Sequence, residues 1–178
     1  MRPIKIHDKN FEVYINRDRI QQAVSSLAQQ LKKDLKGERP LFISILNGAF
    51  IFAADFMRAF EAECEITFIK LASYEKTQSS GKVKQLLGIN EDLTDRTIVV
   101  LEDIIDTGTT LQEIYKILGE ENIKDLKIVS LFFKPDVFKK ELHIDYVAFQ
   151  IPDNFIVGYG LDYDGLGRNL PDIYKLSK

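Results

Sequence analysis

The chain of 178 residues has a single cysteine, Cys64. An intrachain disulfide is therefore impossible, and a cysteine-rich zinc site cannot be assembled. Histidine is almost as scarce. His7 and His143 stand far apart, without the close spacing of paired metal ligands, and both read as non-catalytic. No apolar run approaches the roughly 18 residues that a membrane-spanning helix needs. The first residues show no basic leader followed by an apolar stretch and a cleavage site, so a reducing cytoplasm is the expected compartment, with no membrane partner. Basic residues number 24 against 27 acidic ones, a formal net charge of -3. A duplex nucleic-acid binder needs a dense basic face, so no nucleic-acid partner is expected. A small positive pocket for phosphates is still compatible with an acidic total.

What remains is ordinary globular material. Apolar residues make up 45% of the chain and charged residues 29%, and the length suits one domain with a real core. Val13, Tyr14 and Ile15 form a short extended candidate. Ile20, Val24, Leu27, Leu31 and Leu35 then recur at helical spacing, with Asp18 as the expected cap and Gly37 and Pro40 closing the helix. Leu41–Leu46 is a nearly continuous apolar run of strand length, turned by Asn47 and Gly48, and Phe50–Phe60 reads as a buried helix. Residues 65–74, 97–101, 128–133 and 146–151 are further strand candidates, and 110–119 carries another helix pattern. Short strands apolar on both faces, alternating with helices, predict an α/β fold: a mainly parallel sheet flanked by helices. Ligands of such sheets lie beyond the carboxyl ends of the strands. The polar stretch 75–87, with Lys76, Ser79, Ser80, Gly81 and Lys82, reads either as a solvated hairpin or as a flexible active-site loop that closes over substrate.

The most informative segment is Val99-Val100-Leu101-Glu102-Asp103-Ile104-Ile105-Asp106-Thr107-Gly108-Thr109-Thr110. An apolar strand runs into two adjacent acids, a third follows, and a small-residue turn opens a helix. Amides at a helix start have no helical partners and can surround a phosphate, helped by the helix dipole. Gly108 permits the turn, and Thr107, Thr109 and Thr110 add hydroxyl donors. Glu102 and Asp103, where the strand leaves the sheet, could hold sugar hydroxyls or a hard cation such as Mg2+. Asp106 could accept a proton. The plain alternative is a helix capped at Asp106 or Thr107 with solvated acids before it. Acids that end a buried strand are costly without partners, which weighs against that alternative.

This segment resembles the phosphoribosyl pyrophosphate-binding motif of the type I phosphoribosyltransferases, most closely in the hypoxanthine-guanine branch. The resemblance extends across most of the chain. Leu46, Asn47, Gly48 and Ala49 stand in the place of that branch's pyrophosphate loop. Ser73 and Tyr74 begin its flexible loop, and Lys134 holds the place of its purine-contacting lysine. Residues 155–163, from Phe155 through Ile156 to Asp162, look like its base-binding hood and metal segment, and Arg168 matches a following arginine.

The resemblance implies a single phosphoribosyltransferase domain over residues 1–178, with a small base-binding hood built from the N-terminal segment and residues around 150–178. It implies magnesium-dependent transfer of a phosphoribosyl group to a 6-oxopurine, in purine salvage. Glu102 and Asp103 would face the ribose hydroxyls and the magnesium network. Asp106 would assist proton transfer at the purine N7, and residues 106–110 would hold the 5-phosphate. Ser73 and Tyr74 would close over the reacting groups. Asp162 would bind a second magnesium, Arg168 would contact pyrophosphate, and the backbone of Ile156 would rim the base. Lys134 could donate to a 6-oxygen and Phe155 could stack on the ring. A homodimer or homotetramer is expected.

Departures exist. Asn47, Ala72 and Phe138 stand where some members carry lysine or arginine, which leaves the number of charged pyrophosphate contacts open, and Thr109 replaces a lysine of some members, which removes a charge beside the phosphate. Xanthine or pyrimidine transfer, or a nonenzymatic nucleotide-sensing RNA regulator of the same fold, stay open at this level.

Overall fold

The computed structural model of the chain describes residues 3–72 and 84–177. The elements run β1 (Ile4–Ile6), β2 (Lys9–Ile15), α1 (Arg17–Asp34), β3 (Leu41–Leu46), α2 (Phe50–Phe60), β4 (Glu65–Ala72), β5 (Lys84–Leu87), β6 (Thr97–Ile105), α3 (Thr109–Gly119), β7 (Asp125–Phe133), β8 (Tyr146–Gln150), β9 (Ile156–Val157) and β10 (Ile173–Leu176).

The apolar strands assemble into a six-stranded sheet of order β5-β4-β3-β6-β7-β8. Five of these strands are parallel; β5 joins the β4 edge antiparallel. Side chains alternate between the two faces with the strand period of two. Phe42, Val99, Leu101 and Val129 enter the core under α1 and α2, where Ile20, Val24, Leu31, Phe52, Phe56 and Phe60 are buried. Ile43, Ile45, Ile98, Val100 and Ile128 face the other way, onto Leu111, Ile114 and Leu118 of α3. Each such side chain taken fully from water contributes about 1.5–3 kcal/mol, so the two faces together supply the driving force for this layered arrangement. Three rings lock α2 to β3: Phe42 meets Phe56 and Phe60 edge-on, at centroid separations of 5.8 and 5.1 Å.

Two expectations need correction here. Asn16, not Asp18, caps α1. Asn16 is extended and its side-chain oxygen accepts the Arg19 N–H at 2.9 Å. Asp18 is already within the first turn, where its charge can only complement the helix dipole. The strand expected over residues 97–101 continues to Ile105, so Glu102 and Asp103 lie within β6 rather than where it leaves the sheet. Pairing explains the extension. The register with β3 ends at Ser44 opposite Leu101, but β7 continues alongside to Phe133 opposite Ile105. The acids therefore occupy a stretch of β6 whose β3 side is open.

The chain leaves β3 toward β4 and leaves β6 toward β7 and β8, in opposite directions. Helix α2, which follows β3, packs on one face of the sheet, and α3, which follows β6, packs on the other. The carboxyl ends of β3 and β6 thus flank a topological switch point, where crevices form in open α/β sheets.

A second sheet of order β1-β2-β10-β9 is antiparallel and joins the two ends of the described chain. Its small core holds Ile6, Phe11, Val157 and Tyr174. Strands β1, β9 and β10 were not anticipated from local pattern.

Candidate active site

At the end of β3 the Leu46–Asn47 peptide is cis, and Gly48 follows. Space at Gly48 is extremely tight: a Cβ there would come 1.7 Å from Asp103 Oδ2. On the other side, a Cβ on Gly160 would meet the Gly48 carbonyl oxygen at 2.1 Å. Turn, acid and C-terminal loop are in backbone-close contact, which only glycine allows at these two positions.

At the end of β6, Asp106 Oδ1 accepts the Thr107 amide N–H at 2.5 Å. The hydroxyls of Thr107 and Thr109 lie 3.1 Å apart. Gly108 adopts φ 81 at the cap position of α3, with no side chain capping the helix. The first α3 amides are therefore left for a ligand. Phe138 lies against Gly108, where a Cβ would be 2.6 Å from its ring. A cavity of about 400 Å³ opens between the two strand ends, lined among others by Gly48, Glu102, Asp103, Asp106, Thr107 and Thr110. That volume suits a small phosphorylated ligand.

Glu102 and Asp103 are each only 8% exposed. Burial, with the neighbouring charges of Asp103 and Asp106, drives the Glu102 carboxyl well above its ordinary range. Burial also pushes Asp103 up to about 6, against the opposing pull of backbone amides and of the Arg168 guanidinium. Glu102 Oε2 is buried without a hydrogen-bond partner. Two crowded carboxylates, one with an orphaned oxygen, suit either sugar hydroxyls or a hard cation. Among the described residues no group of three or more metal-ligating side chains clusters.

The C-terminal loop brings Asp162 and Arg168 together. Arg168 forms an ion pair with Asp162 at 2.6 Å and donates to the Gly160 carbonyl at 2.7 Å. The other Asp162 oxygen accepts the Gly165 amide N–H at 2.7 Å. Tyr159, in the same loop, donates to Asp55 of α2 at 2.6 Å, which anchors the loop to the main sheet layer.

Lys134 directly follows β7, and its amide donates to the Ile105 carbonyl at 2.9 Å, which places it beside Asp106. It is 9% exposed, and its ammonium pairs with Asp153 at 2.8 Å. Phe155 is 44% exposed, set edge-on to Tyr163 with the Lys9 ammonium 5.6 Å from its centroid. Ile156 is buried in β9.

Residues 14–164 match the family model described as the phosphoribosyl transferase domain. The chain belongs to the phosphoribosyltransferase family. This phosphoribosyltransferase is 35% identical over 174 residues to a hypoxanthine-guanine phosphoribosyltransferase of Aquifex aeolicus, covering 97% of this chain and 98% of that protein. It is 36% identical over 172 residues to the enzyme of the same name from Staphylococcus aureus, covering 96% of each. A crystal structure of a hypoxanthine-guanine phosphoribosyltransferase from Bacillus anthracis superposes with a TM-score of 0.88 at 40% identity, covering 93% of this chain and 98% of that one.

Within this phosphoribosyltransferase, the structure gathers Leu46, Gly48, Glu102, Asp103, Asp106, Thr107, Thr109 and Thr110 around one cavity. Asn47, Lys134, Phe155, Ile156, Asp162 and Arg168 are not among its lining residues; the β6–β7 pairing sets the Lys134 backbone beside Asp106, and the Arg168 charge acts on Asp103. Ser73 and Tyr74 lie outside the described residues, as does most of the expected loop. The last four residues of that loop, Lys84–Leu87, form strand β5. Sequence reasoning gave no individual place to Asp153, which pairs with Lys134, or to Tyr159, which falls within the 155–163 segment. Asp153 is a lone acid between proline and asparagine, a pattern with no specific signal, and Tyr159 looks like core. Phe52, Phe56 and Phe60 of α2 are internal, and only Phe50 is exposed among these phenylalanines.

Proposed function

We infer that this phosphoribosyltransferase transfers the 5-phosphoribosyl group of phosphoribosyl pyrophosphate to hypoxanthine or guanine, giving IMP or GMP and pyrophosphate in purine salvage. One observation carries the reading: the buried Glu102–Asp103 pair stands at the switch point between the vacant amides of α3 and the near-buried Lys134. Carboxylates suit ribose hydroxyls, the helix start suits the 5-phosphate, and Lys134 suits a 6-oxygen. The relatives from Aquifex aeolicus, Staphylococcus aureus and Bacillus anthracis carry the name hypoxanthine-guanine phosphoribosyltransferase, which supports the same reaction.

The geometry fits the chemistry of a purine edge. N7 and the 6-oxygen of a 6-oxopurine lie side by side. Asp106 and Lys134 leave adjacent parallel strands joined by the Ile105–Lys134 hydrogen bond. Asp106 takes the proton of N7 as N9 bonds to C1 of the ribose, and the bond from C1 to the pyrophosphate oxygen breaks with its electron pair on that oxygen. Lys134 donates to the 6-oxygen, Phe155 covers the ring, and the backbone of Ile156 faces its remaining edge. Thr107, Thr109, Thr110 and the Gly108 turn hold the 5-phosphate. Leu46, Asn47 and Gly48 face the pyrophosphate with backbone and an uncharged amide. Arg168 supplies positive charge on that side. Ser73 and Tyr74 complete the set as residues that exclude water.

Glu102 and Asp103 are the residues that would hold one divalent cation and Asp162 a second, with magnesium the natural choice for oxygen ligands and a phosphorylated substrate. When bound, it supplies neutralising charge to the leaving pyrophosphate. The N-terminal strands and the segment after residue 150 serve as the hood over the base.

The test is a panel of free bases with phosphoribosyl pyrophosphate, with and without magnesium. The expected result is IMP and GMP formation that requires the metal, with adenine, orotate and uracil turned over poorly. Efficient use of a pyrimidine, or no turnover with any base, contradicts the reading.

A further inference from the structure

The donor and the stacking ring for the purine come from different parts of the chain. Lys134 ends β7, and Phe155 and Ile156 follow β8. Between them runs a short tether. The Ile151 amide donates to the Phe133 carbonyl at 2.9 Å, which fixes the start of the loop beside Lys134. The Asn154 amide then donates to the Pro152 carbonyl at 2.7 Å, a three-residue turn with Asp153 at its centre. From that apex the Asp153 carboxylate reaches the Lys134 ammonium at 2.8 Å.

We propose that Asp153 is a positioning residue for purine recognition: its carboxylate holds the Lys134 ammonium against the loop that carries Phe155 and Ile156, so that the 6-oxygen donor and the stacking ring are set as one unit. The proposal rests on the reading of Lys134 as the group that meets the 6-oxygen. Lysine places its charge at the end of a four-carbon stem with many rotamers, so a donor that must meet one oxygen gains from a fixed partner. An ammonium has three N–H donors, and the bond to Asp153 leaves two for the base. Asp153 is the one carboxylate within ion-pair distance of Lys134 among the described residues. The exposures of the pair are unequal. The Lys134 side chain is 11% exposed and the Asp153 side chain 59%. A wholly solvent-exposed pair would contribute little; here the lysine is nearly buried and the more exposed aspartate holds its ammonium.

Because Asp153 is mostly exposed, Asp153→Ala should fold normally, which thermal melting checks. The experiment is steady-state kinetics of wild type, Asp153→Ala, Lys134→Met and the double variant with hypoxanthine, guanine and adenine. Asp153→Ala should raise KM for hypoxanthine and guanine about ten-fold, on the scale of a misplaced binding group. KM for phosphoribosyl pyrophosphate and the efficiency with adenine should stay unchanged. In the Lys134→Met background the same change should do nothing further. Loss of 6-oxopurine affinity in Lys134→Met but not in Asp153→Ala overturns the proposal and leaves the role of Lys134 intact. An equal loss for adenine, or an undiminished effect in the Lys134→Met background, also overturns it. An unchanged preference in Lys134→Met removes the reading of Lys134, and the proposal with it.

Discussion

Asp103 occupies the space in which any residue at position 48 other than glycine would place its β-carbon. The separation from that position to Asp103 Oδ2 is 1.7 Å, half of a normal contact. The acid within β6 and the turn after β3 are therefore a single packed unit, although 55 residues separate them, the difference between positions 103 and 48.

Gly48→Ala should displace the Asp103 carboxylate or the turn by about 1 Å, a misplacement worth roughly a hundred-fold in rate. The core contacts of β3 and β6 are untouched, so the variant should fold. Far-ultraviolet circular dichroism and kcat/KM for phosphoribosyl pyrophosphate check this. Near-wild-type kcat/KM would mean that the turn and Asp103 separate freely.

Gly160→Ala should destabilise the protein by more than the backbone effect alone. Gly160 has φ 103, and its Cβ would meet the Gly48 carbonyl at 2.1 Å. Gly165 has φ 84 with nothing near its Cβ position, which makes it the control. Gly165→Ala should cost about 1–2 kcal/mol from the left-handed backbone. Gly160→Ala adds a clash and should exceed that by roughly 1–3 kcal/mol, the range of overpacking. Urea unfolding of both variants measures the difference, and equal losses would show that the loop yields without cost.

The buried acids should make the metal-free protein pH-sensitive. Glu102 has a folded pKa above its ordinary 4.5, and Asp103 rises from 3.8 to about 6. A group with a raised folded pKa lends its full stability below the unfolded pKa and loses it as pH climbs through the folded value. The contribution of this pair is therefore present near pH 4 and declines through and beyond pH 6. Glu102→Gln removes one ionisation. It should equal wild type in stability near pH 4 and surpass it at pH 8, in chelator-treated protein with no substrate. Melting temperatures across that range test the sign. A variant less stable than wild type at high pH would show that Glu102 is paired in solution.

Base choice should divide unequally between Lys134 and Phe155. Adenine carries an amino group where hypoxanthine and guanine carry oxygen, so it would oppose one donor with another. A buried hydrogen bond left unmade costs roughly 1–3 kcal/mol, about a five- to 150-fold discrimination. Lys134→Met should cut hypoxanthine and guanine efficiency by a factor in that range and leave adenine nearly unchanged. Asp153, mostly exposed, tolerates the loss of its partner. Phe155→Ala should weaken all three bases by similar factors, because each offers a stacking face. Competition binding with the three bases separates the two patterns.

Local pattern sufficed where the signal was contiguous. Leu41–Leu46 and Phe50–Phe60 are bounded by their own apolar runs and by the turn residues between them, and the structure has both elements with those limits. The turn at 106–110 was equally legible, because the hydroxyls, the glycine and the helix start are neighbours along the chain. Tertiary pairing decided the rest. Two acids look like the end of a strand until β7 continues beside them and carries β6 on to Ile105. Asp18 was the expected cap, but Asn16 has the extended backbone and the bond to Arg19 that a cap requires. Strands β1, β9 and β10 are too short to declare themselves, and they exist because β2 and β10 pair across the length of the chain. The contacts of Asp103 with Gly48, of Gly160 with Gly48, and of Lys134 with Asp153 join residues that no local periodicity relates. Secondary structure follows from interactions a few residues apart, which the order of residues records directly. A site at a switch point is assembled from the ends of several strands, and which ends meet is decided only when the sheet buries both of its faces.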